Sequence, residues 1–327
     1  MSDSSTPTTD AAELPGSADR SAGRAGDRRL DGLESVDVAT AEFVAHRNLL
    51  FTVAYEILGS ATDAEDVLQE TWLRWVGVDP DTVHAKRAYL VRIVTRQALT
   101  RLRALDRRKE SYVGPWLPEP LLTSPDVAED VEFAESVSMA MLVVLETLAP
   151  TERAVFVLRE VFDVEYGEIA AAVDKTPATV RQIAHRARAH VAARRPRGTV
   201  SPAETDAALQ AFLGAVRTGD VQRLLDILAP DVVAFSDGGG VKQAMLRPVE
   251  GAEKVARLLS GLWGKRGFEV TIEPMQVNAG PGLLVRIDGG LDSVLAVRFD
   301  NGRVSGLYNV RNPEKLSRVE QETPVSR

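Results

Sequence analysis

The sequence predicts a multidomain protein, with two all-α domains in tandem followed by an α+β domain. Two observations carry this. Apolar residues recur at helical spacing as far as about residue 195, and beyond Pro202 the texture changes to short β-branched runs between turn signals. A third observation bears on function. Nine basic residues and one acid lie between Lys86 and Lys109, seven acids and no Lys or Arg between Tyr112 and Ala149, and seven bases and one acid between Asp174 and Arg197. Such alternating blocks point to two separate basic surfaces joined by an acidic connection.

In chain order, residues 1–37 are rich in Ser, Thr, Asp, Gly, Ala and Pro without periodicity and read as a disordered extension. Residues 38–110 read as a first helical domain. Phe43, Leu50, Ala54 and Ile57 line one helix face up to Gly59. Thr62–Glu65 reads as a capping box opening a second helix, with Val67, Leu68, Thr71, Trp72 and Trp75 together on it. A third helix, about Lys86 to Arg108, buries Tyr89, Ile93, Leu99 and Leu102. Proline and glycine then mark 111–135 as an acidic linker, although helical spacing resumes near Val131. Residues 136–197 form a second helical domain and 198–204 a second linker.

Residues 205–316 form the α+β domain. Helices near 204–228 and 250–263 flank strand-like runs at Val232–Ser236, Phe268–Val277, Leu283–Ile287, Val294–Phe299 and Val304–Val310. Asn301-Gly302 is a strong hairpin signal, and the sheet is expected to be curved and antiparallel. Residues 317–327 are a tail.

Composition excludes several classes. The 327 residues include no cysteine, so neither disulfides nor thiolate metal sites are available and a reducing compartment fits. The four histidines show no metal-ligand spacing beyond a weak His185/His190 pair. No apolar run has bilayer length and no secretory signal opens the chain, so the expectation is a cytoplasmic protein without membrane contact, cofactor or metal. A net charge of −8 argues against DNA binding only if averaged over the blocks.

The most specific local pattern lies between Tyr166 and Arg194. One helix ends at Val173, Asp174-Lys175 turns, Thr176 caps, and Pro177 occupies the first position of the next helix. Val180, Ile183, Ala184, Ala187 and Val191 form its apolar stripe. Thr179, Arg181, Gln182, His185, Arg186 and Arg188 face outward with Thr176 at the start. A helix-turn-helix lays such a helix in the major groove, where Arg and Gln make paired contacts to base edges. An ordinary solvated hairpin shares the pattern, but the adjacent basic run 194–197 favours phosphate contact. On the third helix, Arg92, Arg96, Arg101, Arg103, Arg107, Arg108 and Lys109 accompany Tyr89, with Tyr112 just beyond. Charge plus aromatic rings suits a partly melted strand, against the alternative of a solvated basic face.

These residues resemble the extracytoplasmic-function class of the sigma-70 family of bacterial RNA polymerase sigma factors. Asp63–Trp75 is similar to the sigma-2 helix that grips the β′ clamp helices of core polymerase, which implies core contact at Asp63, Asp66, Gln69, Glu70 and Trp72. Ala88–Arg96 resembles the part of that domain that melts and reads the −10 element. Leu148–Arg188 resembles the sigma-4 domain that reads the −35 element. Trp116, Leu117, Pro118, Glu119 and Pro120, then Asp237, Gly238, Gly239 and Gly240, then Asn312, Pro313, Glu314, Lys315 and Leu316, look like motifs of a subgroup with an appended SnoaL-like cone domain. In that subgroup lysine follows the third glycine directly, whereas here Val241 intervenes before Lys242.

The resemblance implies a non-catalytic initiation factor that binds core polymerase (β′ and β) and promoter DNA, its acidic linker running through the RNA channel. The appended domain is expected to regulate it by docking, Gly238–Gly240 receiving the proline-rich run 116–120. Two other functions stay open: a one-component DNA-binding regulator with a ligand-sensing tail, and a DNA-tethered isomerase or hydrolase. Asp231, Asp237, Asp288 and Tyr308 are the carboxylate and hydroxyl candidates for the last, though no spacing forces them together.

Overall fold

The computed structural model describes residues 21–327 apart from 125, 128–129, 195–201 and 264–268. The first helical domain is built from α1 (Ser21–Leu58), α2 (Ala61–Trp75) and α3 (Lys86–Lys109). Residues 1–20 of the expected disordered extension lie outside the described part, but 21–37 are helical and continuous with α1. Ala, Arg, Leu and Glu are good helix formers, and no proline interrupts them here.

Gly59, at φ +69°, ends α1 as expected. The cap of α2 differs from the expected Thr62. It is Ser60, whose Oγ accepts from the Asp63 amide at 3.1 Å, and α2 starts at Ala61. The core holds Leu50, Ala54, Ile57, Val67, Leu68, Leu99 and Leu102, and the fully buried Trp75 donates its indole N–H to the Ala39 carbonyl at 2.7 Å. Trp72, Tyr89 and Ile93 are only half-buried at its margin.

The second helical domain comprises α4 (Val131–Val137), α5 (Met139–Leu145), α6 (Pro150–Phe156) with a π-helical turn through Val161, α7 (Tyr166–Val173) and α8 (Pro177–Ala192). The first helix therefore begins inside the segment expected to be linker, and Ser138 divides it from α5 by capping the Met141 amide at 3.2 Å. Asp174 takes a left-handed conformation at φ 57° and Thr176 accepts from the Thr179 amide, giving the turn and cap read from the sequence. Val180, Ile183, Ala184, Ala187 and Val191 are all buried. The two helical domains are not separate beads. A single apolar cluster runs from Ala39 to Val191 through both.

The third domain contains α9 (Pro202–Thr218), α10 (Val221–Ile227) and α11 (Ala252–Trp263), with strands β1 (Leu228–Asp237), β2 (Val249–Glu250), β3 (Val270–Val277), β4 (Gly280–Ile287), β5 (Gly290–Asp300) and β6 (Arg303–Val310). The helical stretch expected near 204–228 is two helices, divided at Gly219, after which Asp220 caps α10. The sheet runs β2-β1-β6-β5-β4-β3. It is not wholly antiparallel, because β1 and β6 pair in parallel. The crossover from β1 back to β6 through α11 and three hairpin strands brings the domain's first and last strands side by side. Asn301-Gly302 is the expected hairpin turn, with φ 50° and 74°.

Both faces of this sheet are covered. Leu283, Val297, Phe299 and Leu307 pack under α9, α10 and α11. On the other face Leu284, Val294, Ala296, Tyr308 and Val310 pack against Leu117 of the linker and Met139 and Ala140 of α5. The tail is docked too. The Thr323 amide donates to the Leu122 carbonyl at 2.8 Å, and Val325 joins the core of the helical domains.

Glu56 of α1 is fully buried where the two helical domains meet. Its Oε1 accepts from the Ser136 hydroxyl at 3.1 Å, and Oε2 has no partner among the described residues. Burial pushes its carboxyl up to about 8, with Ser136 and Arg153 offsetting only part of that. The folded chain keeps this proton where an unfolded chain, with an ordinary value of 4.5, has released it. The resulting stability is complete below the unfolded value and is lost as pH rises through the folded one. Glu56→Gln should therefore flatten the fall in thermal unfolding midpoint across that window and raise the midpoint at pH 8. Parallel pH profiles by circular dichroism check this.

Candidate interdomain latch and nucleic-acid-facing helices

The linker motif 116–120 lies between the first helical domain and the sheet and bonds to both. On the sheet side, the end of β1 presents Asp237, which is fully buried. Its Oδ2 accepts from the Leu117 amide at 2.9 Å and from Lys315 Nζ at 2.8 Å. Its Oδ1 accepts from the Tyr112 hydroxyl at 2.6 Å and the Gly239 amide at 3.1 Å. Lys315 also donates to the Leu117 carbonyl at 2.6 Å and lies 3.3 Å from the centre of the Trp116 ring. One buried ammonium is thus compensated by a carboxylate, a carbonyl and an aromatic face. Burial pulls the Lys315 amine below its ordinary value despite Asp237, and it pushes the Tyr112 hydroxyl up, reinforced by its bond to that carboxylate.

Asn312 closes the arrangement. It caps the 3-10 turn Pro313–Lys315 by accepting from the Glu314 amide at 3.1 Å, and its Nδ2 donates to the Tyr112 hydroxyl at 2.9 Å. The glycines are required by close approach. A Cβ on Gly239 would stand 2.4 Å from the Asn312 amide group, and one on Gly238 would stand 2.1 Å from the Lys242 carbonyl. Gly240 faces Val113 of the linker, so the glycine run receives the linker through 112–113 while Leu117 reaches Asp237. Leu316 is buried with Leu117, whereas Pro313 and Glu314 are exposed. Lys242 is not part of the cluster. It turns to Asp292, shared with Arg311, as the extra residue before it suggests.

On the other side Glu119 serves α2. Its two carboxylate oxygens accept from the Ser60 hydroxyl at 2.8 Å and the Thr62 amide at 3.0 Å, placing a negative charge at a helix N-terminus. The Tyr55 hydroxyl donates to the Glu119 carbonyl at 2.6 Å. Pro118 and Pro120 are buried between these contacts.

Sequence reasoning missed Asn278. Standing with Ala279 at positive φ in the β3–β4 turn, it is fully buried. It donates to the Tyr55 hydroxyl at 2.7 Å and the Val137 carbonyl at 3.0 Å, and accepts from the Leu121 amide at 3.1 Å. One side chain thereby joins all three domains to the linker. Asn-Ala-Gly at 278–280 marks a turn, but nothing in it signals the distant partners.

The helices expected to touch nucleic acid divide into free and engaged groups. On α8, Arg181, Gln182, His185, Arg186 and Arg188 are exposed, Thr176 caps, and Thr179 is half-buried. Arg188 forms a two-pronged pair with Glu160 at 3.0 and 2.8 Å. Arg195 and Arg197 lie outside the described residues.

On α3, Arg103, Arg107 and Arg108 are exposed, and Arg92 stacks on Tyr89. Three others are held internally. Arg101 bridges Asp63 and Asp66, each at 2.6 Å. Lys109 pairs with Glu146. Arg96 donates to the carbonyls of Ala171 and Ala172 on α7, at 2.7 and 3.4 Å. On α2, Asp66, Gln69 and Glu70 are exposed on one face that continues to Leu73, an exposed apolar residue the sequence reading passed over.

Profiles of Sigma-70 region 2 and Sigma-70 region 4 match residues 43–108 and 138–191. The chain is 35% identical to the ECF RNA polymerase sigma factor SigJ of Mycobacterium tuberculosis over 292 residues, 85% of this chain and 93% of that protein. This chain belongs to the extracytoplasmic-function sigma factors. A probable sigma factor SigI of the same species is 29% identical over 88% of this chain and 97% of its own length. The crystal structure of the SigJ protein superposes with a TM-score of 0.69 at 31% identity, covering 86% of this chain and 99% of that one. The sigma factor has region-2 and region-4 helical domains followed by an α+β domain. Its relatives are initiation factors rather than enzymes. Asp231, Asp237, Asp288 and Tyr308 form no common site. Asp237 is in the latch, Asp288 accepts from the Glu269 amide at 2.9 Å beside the β4–β5 turn, Asp231 is exposed, and Tyr308 stacks on Phe235. No described helix is long and apolar enough to cross a membrane.

The latch makes an asymmetric prediction. Asp237→Ala strands a buried ammonium and three donors, and should lower unfolding free energy by about 3–5 kcal/mol. Lys315→Met leaves the carboxylate with three donors and should lower it by clearly less. Urea titrations followed by tryptophan fluorescence compare the two, and equal losses would contradict the arrangement.

Proposed function

We propose that this sigma factor binds core RNA polymerase through α2, reads the −35 element with α8 and the −10 element with α3, and is held closed by its C-terminal domain. The observation that carries the closed reading is the contact between Arg96 and the α7 carbonyls. Promoter elements numbered −10 and −35 are about 25 base pairs apart, ~85 Å of duplex at about 3.4 Å per pair. Two domains sharing one core cannot span that length, so α3 must leave α7 before both elements are read.

The linker fits the same account. The acidic segment is occupied on both sides, by Glu119 on α2 and Leu117 at Asp237. To enter the polymerase channel it must leave the latch. The C-terminal domain then sets the opening free energy, and truncations separate its roles. A chain ending at Arg311 loses Asn312 and Lys315 but keeps every strand, and it should initiate differently from full length. A chain ending before Pro202 should differ again. Initiation assays with core polymerase on the protein's own upstream region measure this, and identical activity of all three chains would refute regulation by docking.

Core contact has its own test. Asp66→Ala with Gln69→Ala should weaken capture of core polymerase about tenfold, with an unchanged melting profile. Unaltered capture would remove α2 from the core-binding role.

A further inference from the structure

A cavity of about 400 Å³ opens at the seam between the region-4 domain and the C-terminal sheet. One wall comes from α4 and α5, including Ala134, Met139 and Ala140. The other comes from the sheet, including Ala296, Arg298 and Tyr308. It lies on the sheet face turned toward the helical domains, while the opposite face is filled by side chains under α9, α10 and α11.

The chemistry of the lining narrows what fits. Small-molecule sites are mostly apolar with a few placed polar groups. Three ionisable side chains of the acid or guanidinium type line the space: Glu135, Arg298 and Asp300. Arg298 and Asp300 form an ion pair, so the guanidinium is already charge-compensated and exerts little pull on an anion. Arg298 Nε is buried and has no hydrogen-bond partner among the described residues. A buried donor without an acceptor is unfavourable by itself and favours any occupant that brings an oxygen to it.

We propose that this seam cavity binds a neutral, mostly apolar small molecule carrying a carbonyl or hydroxyl oxygen that accepts from Arg298. The proposal rests on the reading of the C-terminal domain as a docked regulator and names what that regulator senses. Because the two walls belong to different domains, the complete site exists only in the docked form. An occupant at one hundred times its dissociation constant shifts the balance of docked over open chain about 100-fold. The ligand is thereby a repressor of opening, and the latch and the cavity act on one equilibrium.

Nile red, a neutral planar dye with a ring carbonyl, is the probe. Full-length protein should bind it saturably at one site and gain in thermal unfolding midpoint. Arg298→Met removes the donor and Ala134→Trp fills the cavity from the region-4 side. Each should weaken binding about tenfold, while Arg303→Gln, at the exposed start of β6, should leave it unchanged. Lys315→Met, which loosens docking from a distance, should also weaken it. Circular dichroism establishes that each variant is folded, and an unfolded one leaves the decision to the others. Absence of saturable binding overturns the proposal. So does loss with Arg298→Met but not with Ala134→Trp or Lys315→Met, since the site would then belong to the sheet domain alone. Binding unaffected by Arg298→Met overturns the assignment of the donor. None of these outcomes touches the initiation assays, so the docking reading stands or falls separately.

Discussion

The organisation of this molecule depends on a buried ammonium. Lys315, on a 3-10 turn, can leave water only because Asp237 at a strand end and the Leu117 carbonyl and Trp116 ring of the linker surround it. Replaced by apolar groups, such a pair often costs nothing in stability. What it provides is register. A misdocked linker would leave a charge uncompensated in the interior, which a purely apolar seam would not penalise. The carboxylate's remaining donors, Tyr112 and Leu117 of the linker and Gly239 just past β1, extend the requirement along both segments at once.

This polar specification sits on a large apolar contact. The outer face of the sheet is buried by Leu117, Met139 and Ala140, and the two helical domains share one core. Affinity between the parts comes from that burial. Orientation comes from Lys315, Asn278 and Glu119. The division bears on the proposed opening, in which apolar surfaces released together would need new partners and each polar group would have to be rehydrated or paired again.

Most elements were legible from local pattern. The α8 stripe, the Asp174 turn, the Thr176 cap and the Asn301-Gly302 hairpin follow from spacing and backbone preference, and the structure places them where the sequence does. What was not legible is non-local. The cap of α2 is Ser60 rather than Thr62, since Glu119, more than fifty residues away, takes the Thr62 amide. The parallel pairing of β1 with β6 depends on closure of the whole domain and leaves no mark in either strand. Helix at 21–37 follows propensity without periodicity, which composition alone read as disorder. In the site, the motif residues were found through family likeness, but Lys242 and Asn278 exchanged importance. The first was displaced by Val241, and the second makes contacts no short window contains.

Closure of the region-2 domain on the region-4 domain is the claim from which the functional account follows, and the absence of cysteine makes it directly measurable. Thr100→Cys on α3 and Lys175→Cys at the α7–α8 turn are exposed positions near the Arg96 contact that take a pair of spin labels. Pulsed dipolar distances in the free chain should be short and narrowly distributed. In a transcription-competent complex with core polymerase and promoter DNA they should lengthen by several tens of ångströms. A short distance retained in that complex would contradict the account.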